Sequence, residues 1–545
     1  MKEPYSYVNY SFISKGNYSV TNSNYFDITS DLILNYNHDF SDMLRLNVNA
    51  GGANSYRNLK SAISSTDGLT IPEFYNLSNT TNPLTGRNIL QERRTTSAYG
   101  TIDVEALKFL YLNFTGRYDK ASTLAINNNA YFYPSVGLSA VLSDALKLPQ
   151  PISFLKTRAS WAKVNTGFVD PNDPYAHILT YSIGNKWNNK GSVVWPGTAI
   201  APQLIPSTVE SAEYGLVLGL LRNRINIDAT YFRNKEYNGF TTVPQSEASG
   251  YLNLLQNANI YVRKGWEFVV SGTPVLNSDF KWETTFNFSN SHRWLKKATA
   301  PGSNGFVDKI NEPGSIKEGD RTDRVFITYS QTADGRPIYN ANGSLAFDAN
   351  PHFFGYADSK WMYGWQNSFN YKNIGLSFSF DGRLGGLIYS TTNQKMWWGG
   401  AAIETANSYR DDAIAGNNTY IAPGVVVKDG SVTYDRRGEI VSDTRQYEEN
   451  TTAVNYISFM QSDAGNALNN YFYYSGSYLK MRELVLSYNL PATWVKGIFK
   501  AASVSFIGNN LFILSKIPNV DPDAESDNLQ TPSVRSLGFN INLKF

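Results

Sequence analysis

The chain has 545 residues, of which 17% are charged and 14% aromatic, and its formal net charge is +2. No basic cluster indicates nucleic-acid binding, and the lack of cysteine excludes a disulfide framework and thiolate metal sites. Few charges, many aromatics and a negative mean hydropathy are typical of a membrane β-barrel with aromatic girdles and a polar lumen. They also fit a soluble β-protein rich in aromatic residues.

Any membrane crossing must be made by strands, because no apolar run reaches the roughly 18 residues of a membrane helix. No Pro- or Gly-rich linker divides the chain, which favours one large architecture. Residues 1–25 are polar and lack the apolar core of a signal peptide. An outer-membrane protein needs export, so we expect this chain to be the C-terminal part of a longer one.

Alternating apolar and polar residues mark about 15 strands. Leu44, Leu46 and Val48, for example, alternate with polar residues in one of them. Such alternation places all the apolar side chains of a strand on one face. In chain order, the predicted strands are 26–37, 44–52, 100–107, 109–119, 135–142, 154–164, 214–221, 225–232, 265–272, 282–290, 362–371, 374–380, 484–491, 502–513 and 537–545.

Short turns and long loops alternate between these strands. We predict long loops at 56–92, 169–207, 294–358 and 391–470, all on one side of the strand array. This sorting is the topology of an outer-membrane barrel, whereas structureless loops of this length are unusual in compact soluble domains. The predicted fold class is therefore all-β, an antiparallel transmembrane β-barrel with short periplasmic turns and long extracellular loops.

The strand count is odd, because the first and the last predicted strand both run toward the short-turn side. Bacterial single-chain barrels have even strand numbers, and lipid does not tolerate an open sheet edge. We therefore expect a partial barrel whose first strands precede residue 26. Residues 1–25 are predicted to be a polar lead-in resembling an extracellular loop, and 26–545 the C-terminal part of the barrel.

Several stretches together resemble one family. These are SYLKMRELVLSYNLP (477–491), GNNLFI (508–513), DPDAES (521–526) and the terminal SLGFNINLKF, with upstream stretches such as LKTRASWAKVNTG (155–167) in the matching order. They are similar to the C-terminal end of SusC/RagA-type TonB-dependent transporters, outer-membrane proteins of Gram-negative, Bacteroidetes-like bacteria. The resemblance covers nearly the whole chain.

This resemblance implies a barrel of about 22 strands filled by an N-terminal plug. It implies a SusD-like surface lipoprotein over the loops, and import of oligosaccharides or peptides driven by TonB pulling on the plug. This sequence departs from the family because the signal peptide, the TonB-contacting segment, the plug and the first strands are absent from it. Outer-membrane lipid is the expected surrounding medium.

The terminal strand carries Phe539, Ile541, Leu543 and Phe545 on its apolar face. The resemblance implies that this alternation, ending in an aromatic residue, is the signal read by the barrel-assembly machinery. A free strand edge provides a template for pairing with another strand. The alternative is an ordinary edge strand at which the chain happens to end.

No catalytic constellation, cofactor motif or metal-ligand spacing is present, so function is expected in the lumen and loops. Substrate contacts are predicted at Trp397 and Trp398, at Trp187 and Trp195, and at the lumen residues Arg117, Asp381 and Arg383. Aromatic rings offer flat apolar faces to sugars, but the simpler interpretation is that these tryptophans pack against another loop or a lid protein. Further predicted lumen residues are Arg45, Asn47, Asn113, Asp119, Arg158, Asp228 and Glu267. In the simplest case these residues only keep the lumen polar and hydrated.

Two functions are consistent with this sequence. The first is a SusC-type importer for oligosaccharides or peptides. The second is an outer-membrane adhesin or scaffold whose loops bind a partner without transport. A membrane-embedded hydrolase would require a nucleophile and a base in one site, and the sequence offers no such set.

Overall fold

The computed structural model describes residues 2–3, 15–185, 188, 190–307, 314–435, 437–464, 471–495, 497, 499–523 and 527–545. Within them the largest sheet contains 16 strands and is antiparallel, which confirms the predicted sheet. Its strands are β1 (Lys2–Glu3), β2 (Asn17–Ser41), β3 (Leu44–Asp67), β4 (Asn82–Ala106), β5 (Leu110–Ala121), β6 (Ala130–Val141), β7 (Ile152–Thr166), β8 (Ser207–Leu220), β9 (Ile225–Tyr237), β10 (Ile260–Leu276), β11 (Phe280–Lys297), β12 (Trp361–Tyr371), β13 (Ile374–Leu384), β14 (Tyr478–Asn489), β15 (Ala501–Ser515) and β16 (Ser536–Lys544).

Smaller elements lie in the connections. The helices are α1 (Leu142–Ala145), α2 (Thr391–Trp398), α3 (Ser408–Ile414), α4 (Tyr456–Ser458) and α5 (Ala492–Val495), with shorter helical turns at Glu247–Ser249, Ile403–Thr405 and Phe459–Ala464. The small strands are Ser182–Ile183, Val193–Val194, Thr198–Ile200, Gly239–Pro244, Asn253–Ala258, Phe306–Val307, Ile316–Lys317, Arg324–Tyr329, Ile338–Tyr339, Phe347–Tyr356, Leu387–Tyr389, Tyr420–Ile421, Val425–Asp429, Val432–Tyr434, Ile440–Asp443, Gln446–Glu449, Ala453–Val454 and Tyr473–Ser475. None of the helices in the described ranges is long and apolar enough to cross a membrane.

The chain forms two compact units. The first unit comprises Met1–Leu138, Ser160–Glu210 and Glu236–Ala258. The second comprises Ser139–Ala159, Ser211–Lys235 and Asn259–Phe545. The strands β6, β7, β8 and β9 each contribute residues to both units.

Long hairpins of β2, β3 and β4 build the first unit. Pairing of β2 with β3 ends at Ser41 opposite Leu44, close to the predicted turn, and β2 begins at Asn17, upstream of the predicted residue 26. Pairing of β3 with β4 extends to Asp67 opposite Asn82. The predicted loop 56–92 is therefore wrong, and the connection is only 68–81. Polar residues occupy both strand faces here, so the alternation that marks a lipid-facing strand is missing.

Near the short turn between β2 and β3, the strands of the first unit have one apolar and one polar face. Leu32, Leu34 and Tyr36 of β2 are exposed on the apolar face. On the other face, the Asn35 amide donates hydrogen bonds of 2.9 Å to Asn47 and 2.7 Å to Asn49 of β3. Contiguous exposed apolar rows mark contact with lipid or a partner. These rows are what a strand with one side in lipid requires.

The second unit continues the same pattern from β10 to β16, each strand pairing with the next. The predicted turn between β12 and β13 is confirmed, with Tyr371 opposite Ile374 and a left-handed φ of 51° at Lys372. Aromatic rings line the apolar face, where the Trp365 and Phe380 rings are 6.2 Å apart. The side chain of Trp365 is exposed, as lipid-facing aromatics are.

Long connections of the second unit lie where 294–358 and 391–470 were predicted, at 298–360 and 385–477. The prediction that these connections are irregular is wrong, because they contain small sheets and helices. Strand Arg324–Tyr329 pairs with Phe347–Tyr356. A buried cluster lies among these loop elements, formed by Tyr329, Tyr339, Leu345, Ala422 and Phe459. The loops therefore have a hydrophobic core of their own.

Candidate functional site

The predicted lumen residue Arg117 lies in a polar network on the wall of the first unit. Its guanidinium donates hydrogen bonds of 2.8 Å to Asp119 and 2.9 Å to Ser97. The Tyr133 hydroxyl donates to the second Asp119 oxygen at 2.5 Å. The guanidinium also lies 5.7 Å from the centre of the Tyr99 ring. Arg117 is thus held by partners within the chain.

Other predicted lumen residues, Glu267 excepted, also have polar partners in their own unit among the described residues. Arg45 pairs with Asp39 of β2 at 2.7 Å, and both side chains are more than half exposed. Arg158 donates to both oxygens of Asp228, at 2.8 and 3.1 Å. Asn113 donates to Asp103 at 2.5 Å. These contacts form cross-strand rows, so the polar face of the wall is rich in hydrogen bonds.

The predicted substrate residues Asp381 and Arg383 of β13 lie beside a segment of the last long connection. Arg482 donates to Asp381 at 2.7 Å and makes a bidentate pair with Asp523 at 2.5 and 2.6 Å. Arg383 donates to the Pro522 carbonyl at 2.7 Å. Hydrogen bonds from Arg482 hold the pKa of Asp523 well below its usual range. Both predicted residues therefore help to fix residues 521–523 on the wall.

Lys480 completes this arrangement, which we call the clamp (Asp381, Arg383, Lys480, Arg482, Asp521, Asp523). Lys480 is only 2% exposed. Its ammonium group lies 3.0 Å from Asp521 and 3.1 Å from Asp523. The carboxylates of the DPDAES stretch that the structure describes are thus neutralised by cationic side chains, and its residues 524–526 lie outside the described part.

The same connection also holds helix α2. The side chains of Ser390 and Thr392 both donate to the carboxylate of Asp527, the first at 2.5 Å. The Ser390 hydroxyl also caps the helix by accepting from the Asn393 backbone N–H at 3.1 Å. A capping hydroxyl of this kind satisfies one of the free N–H groups of the first turn. The start of α2 is therefore fixed to the connection between β15 and β16.

The two tryptophans of α2 have different surroundings. Trp397 is partly buried and packs against the loop cluster, with its ring 6.5 Å from that of Phe472. Trp398 is 52% exposed. Burial in the same cluster raises the pKa of Tyr420 to about 12. The structure therefore places Trp397 in the core of the loops and leaves a face of Trp398 accessible.

The other predicted tryptophan pair is also divided. Trp187 lies outside the described residues. Trp195 is 52% exposed, and its ring is 5.5 Å from the rings of both Tyr181 and Tyr251. Aromatic pairs at this spacing stabilise each other. The three rings form an aromatic cluster on the loops of the first unit.

Among the described residues, the terminal strand β16 pairs along one edge, in register with β15 from Ala501 opposite Lys544 to Asn509 opposite Ser536. It is the last strand in the order of the described sheet. The predicted assembly residues Phe539, Ile541, Leu543 and Phe545 are all exposed, Phe539 to 79%. In this register Phe539 is opposite Phe506 and Ile541 is opposite Val504 of β15, so the apolar row continues from one strand to the next.

A family model described as TonB dependent receptor-like, beta-barrel, matches residues 2–437. The chain belongs to this barrel family. Because its members are outer-membrane proteins, the predicted location and the partial transmembrane barrel are confirmed. The predicted resemblance to SusC/RagA-type transporters is borne out at the level of this barrel family, and SusC and the RagAB transporter are among the proteins to which the chain is similar.

Two curated relatives of this TonB-dependent receptor-like barrel illustrate the similarity. TonB-dependent receptor P3 of Formosa agariphila is 24% identical over 503 residues, which are 84% of this chain and 46% of that protein. TonB-dependent receptor SusC of Bacteroides thetaiotaomicron is 22% identical over 473 residues, 82% of this chain and 43% of that protein. The chain spans about half the length of the curated relatives it matches. Both relatives are named as receptors and neither as an enzyme.

Among solved structures, that of the RagAB peptide transporter superposes on this barrel with a TM-score of 0.71. The identity is 15%, and the match covers 97% of this chain and 56% of that one. At this identity the likeness shows the fold.

The sequence analysis did not predict that Lys480, Arg482 and Asp527 fix the connection between β15 and β16 to the rest of the barrel. A signal was available for two of them, because Lys480 and Arg482 are charged residues near the start of an alternating strand, followed by the apolar Leu484 and Leu486. Charges in a wall strand require partners in the lumen. No such signal marks Asp527, which lies in a connection.

Proposed function

We propose that the chain is the barrel portion of an outer-membrane nutrient importer of the SusC type. In this function it carries oligosaccharides or peptides across the outer membrane, with plug movement driven by TonB. We propose that residues 26–545 are the C-terminal part of the barrel and that residues 1–25 are its polar lead-in, although β2 already begins within this lead-in at Asn17. The observation that carries the proposal is the match of a TonB-dependent receptor barrel model to residues 2–437.

The two faces of the sheet support this function. A closed wall with lipid on its apolar side needs a polar interior, since unsatisfied polar groups are costly in lipid. The hydrogen-bonded rows around Arg117 and Arg158 supply such an interior. A polar solute is the cargo for which this lining is suited. The curated relative SusC and the RagAB peptide transporter, by their names, belong to the same functional class.

Four partners follow from this proposal. A SusD-like surface lipoprotein covers the long loops, and the TonB complex acts through the plug of the whole protein. The barrel-assembly machinery recognises the terminal strand through Phe539, Ile541, Leu543 and Phe545. These exposed side chains lie on the last strand of the described sheet. Outer-membrane lipid contacts the apolar strand faces.

We assign direct substrate contact to Trp398 and Trp195, which both present exposed rings on the loops. Trp187 stays a predicted contact of the same kind. Arg117, Asp381, Arg383 and Trp397 are engaged by groups of the chain, so we expect them to act by shaping the lumen and the loops.

Growth of a deletion strain tests the importer function. Removal of the gene should abolish growth on one class of oligosaccharide or peptide as the sole nutrient, while growth on a monosaccharide continues. The intact gene supplied in trans should restore growth. Unchanged uptake of both oligosaccharides and peptides would contradict transport and favour a barrel whose loops only bind a partner.

A further inference from the structure

A small cavity lies in the first unit between the strand wall and a loop. Its volume is about 170 Å³. The wall side is lined by Tyr25, Arg57, Leu59, Gln91 and Arg93, and the loop side by residues 170–174. Drug-sized pockets have volumes of roughly 300–1,000 Å³, so this cavity suits one ring or one residue of a longer substrate.

The loop is fixed over the wall at two points. The Gln91 side chain donates to the Asn172 carbonyl at 2.8 Å, and the Glu92 backbone N–H donates to the Tyr175 hydroxyl at 3.1 Å. The loop itself is stiff, because Asp170 and Asp173 each accept from a backbone N–H two residues further on. A cavity with a fixed roof is preorganised for a ligand.

Charges on the wall side are unevenly paired. Register places Asp27, Arg57 and Arg93 directly opposite one another on three neighbouring strands. Arg57 uses Asp27, to which it donates two hydrogen bonds of 2.7 and 2.9 Å. Among the described residues, Arg93 makes no hydrogen bond and no ion pair. One guanidinium with five donors therefore lines the cavity without an acceptor.

The loop side offers the opposite property. Asp170 accepts one hydrogen bond, from the Asn172 backbone, and no cationic side chain in the described ranges pairs with it. Glu92, the other acid of the lining, is already used by the Tyr56 hydroxyl at 2.7 Å and the Asn58 amide at 2.8 Å. The cavity thus holds a free donor group and a free acceptor group that do not contact each other.

We propose that this cavity binds one ring of a neutral saccharide, with its hydroxyls bound by Arg93 and Asp170. A hydroxyl both donates and accepts, so a ring with several hydroxyls satisfies both side chains at once. The prolines Pro171 and Pro174 supply flat apolar surface for the faces of the ring, next to the Tyr25 ring, which lies 5.3 Å from the Arg57 guanidinium. The inference deepens the proposed importer function and rests on it for its biological setting, because it selects oligosaccharide over peptide.

The aromatic cluster of Tyr181, Trp195 and Tyr251 supports this choice independently. It belongs to the same unit and presents a half-exposed indole between two phenol rings. Stacked apolar faces of this kind suit the next rings of a saccharide chain. A free amino acid or peptide end could satisfy Arg93 and Asp170 by charge alone, but it would make no use of this cluster.

The test begins with the whole importer that contains this chain, purified in detergent, on an array of neutral, carboxylated and sulfated oligosaccharides and short peptides. The expected binders are neutral oligosaccharides. The best binder is then titrated by calorimetry against the unaltered chain, Arg93→Gln and Asp170→Asn. Loss of one charged hydrogen bond should weaken binding about tenfold in each variant. Arg94→Gln is the matched control, because Arg94 lies next in the strand and stacks instead on the Tyr56 ring, 5.4 Å away.

Each outcome is decisive. Tenfold weaker binding in both variants, with little change in Arg94→Gln and little dependence on salt, supports the site. Binding only of acidic sugars or peptides, steep salt dependence, equal effects of all three substitutions, or no binder at all overturns it. Asp170→Asn, on an exposed loop, keeps the test valid if Arg93→Gln does not fold. If the variants lose binding but the deletion strain grows normally, the importer function is contradicted and the binding site is not. If the variants bind normally but the deletion strain fails to grow, only the binding site is contradicted.

Discussion

Two segments of the chain are fixed to the polar face of a strand wall, and their charges are used in opposite ways. In the clamp of the second unit, the carboxylates of Asp521 and Asp523 face Lys480 and Arg482 within 3.1 Å. In the cavity of the first unit, Arg93 and Asp170 line the same space, and within the described part of the chain neither side chain forms an ion pair. The charges of Asp521 and Asp523 are therefore used within the chain, whereas those of Arg93 and Asp170 keep hydrogen-bonding capacity.

This difference teaches how to separate structural from functional charges in a barrel lumen. Buried charges are retained when they are paired, because an unpaired buried charge is costly. A charge that stays unpaired in a partly open cavity keeps its hydrogen-bonding capacity for a ligand. Substitutions on the two sides should consequently differ in whether they change stability or binding.

The largest expected effect is that of Lys480→Met in the clamp. Removing one partner of a buried pair costs about 3–5 kcal/mol, because the other charge is left uncompensated. We expect a loss near the lower end of this range in the free energy of unfolding, since Asp523 keeps Arg482. Urea titration in lipid vesicles measures it. The control is Lys428→Met, which removes an exposed pair with Glu448 and should cost less than about 1 kcal/mol. Equal losses in both variants would contradict the clamp.

A smaller effect is expected for Asp527→Ala. This change leaves the hydroxyls of Ser390 and Thr392 without their acceptor, and hydrogen bonds to a charged group contribute about 1.5–3 kcal/mol. The backbone amides at the start of α2 should exchange with deuterium at least about tenfold faster. Asp411→Ala in the exposed part of α3 serves as the comparison. Unchanged exchange in α2 would show that the helix is held by packing of Trp397 alone.

Acid should weaken the clamp only at low pH. Because hydrogen bonds from Arg482 lower the pKa of Asp523 in the folded chain, its stabilisation is complete above the ordinary carboxyl pKa of about 3.9 and is lost as the pH falls through the folded value. The urea midpoint should therefore change little from neutral pH to about pH 5 on account of this group and decrease in stronger acid. Arg482→Gln should reduce that decrease. This assignment would be contradicted if the urea midpoint of the unaltered chain already decreased between pH 7 and 5 while that of Arg482→Gln did not.

The smallest stability effect is expected for Arg93→Gln. A side chain without a hydrogen bond or ion pair contributes little, so the free energy of unfolding should change by less than about 0.5 kcal/mol. The same urea titration measures this value beside that of Lys480→Met. A loss as large as that in the clamp would mean that Arg93 has a structural partner, and the contrast between the two regions would disappear.

The strand wall could be predicted from the sequence because lipid imposes a strict pattern. Leu32, Leu34 and Tyr36 alternate with polar residues since one side of the strand meets acyl chains. Where both faces are polar, as around Tyr56 and Arg57, the pattern disappears although the strands continue. This is why the loop 56–92 was predicted too long.

The candidate sites were less predictable, because side-chain pairing depends on contacts far apart in the chain. Nothing near Trp397 and Trp398 in the sequence distinguishes the ring that packs from the ring that stays exposed. Arg93 lies in a run of two arginines directly after the predicted loop 56–92, and its opposition to Arg57 follows only from the register of β3 and β4. The place of Asp170 in the cavity lining likewise follows only from the position of its loop over the wall.

Helix α2 is joined to the connection between β15 and β16 by more than Asp527. The Asn393 amide donates to the Pro518 carbonyl at 2.8 Å, and the Lys395 ammonium donates to Asn528 at 2.7 Å. The two stretches, more than a hundred positions apart in the chain, therefore form one structural module. A chimera that receives the α2 loop from a relative should retain its shape only when residues 517–533 are exchanged with it.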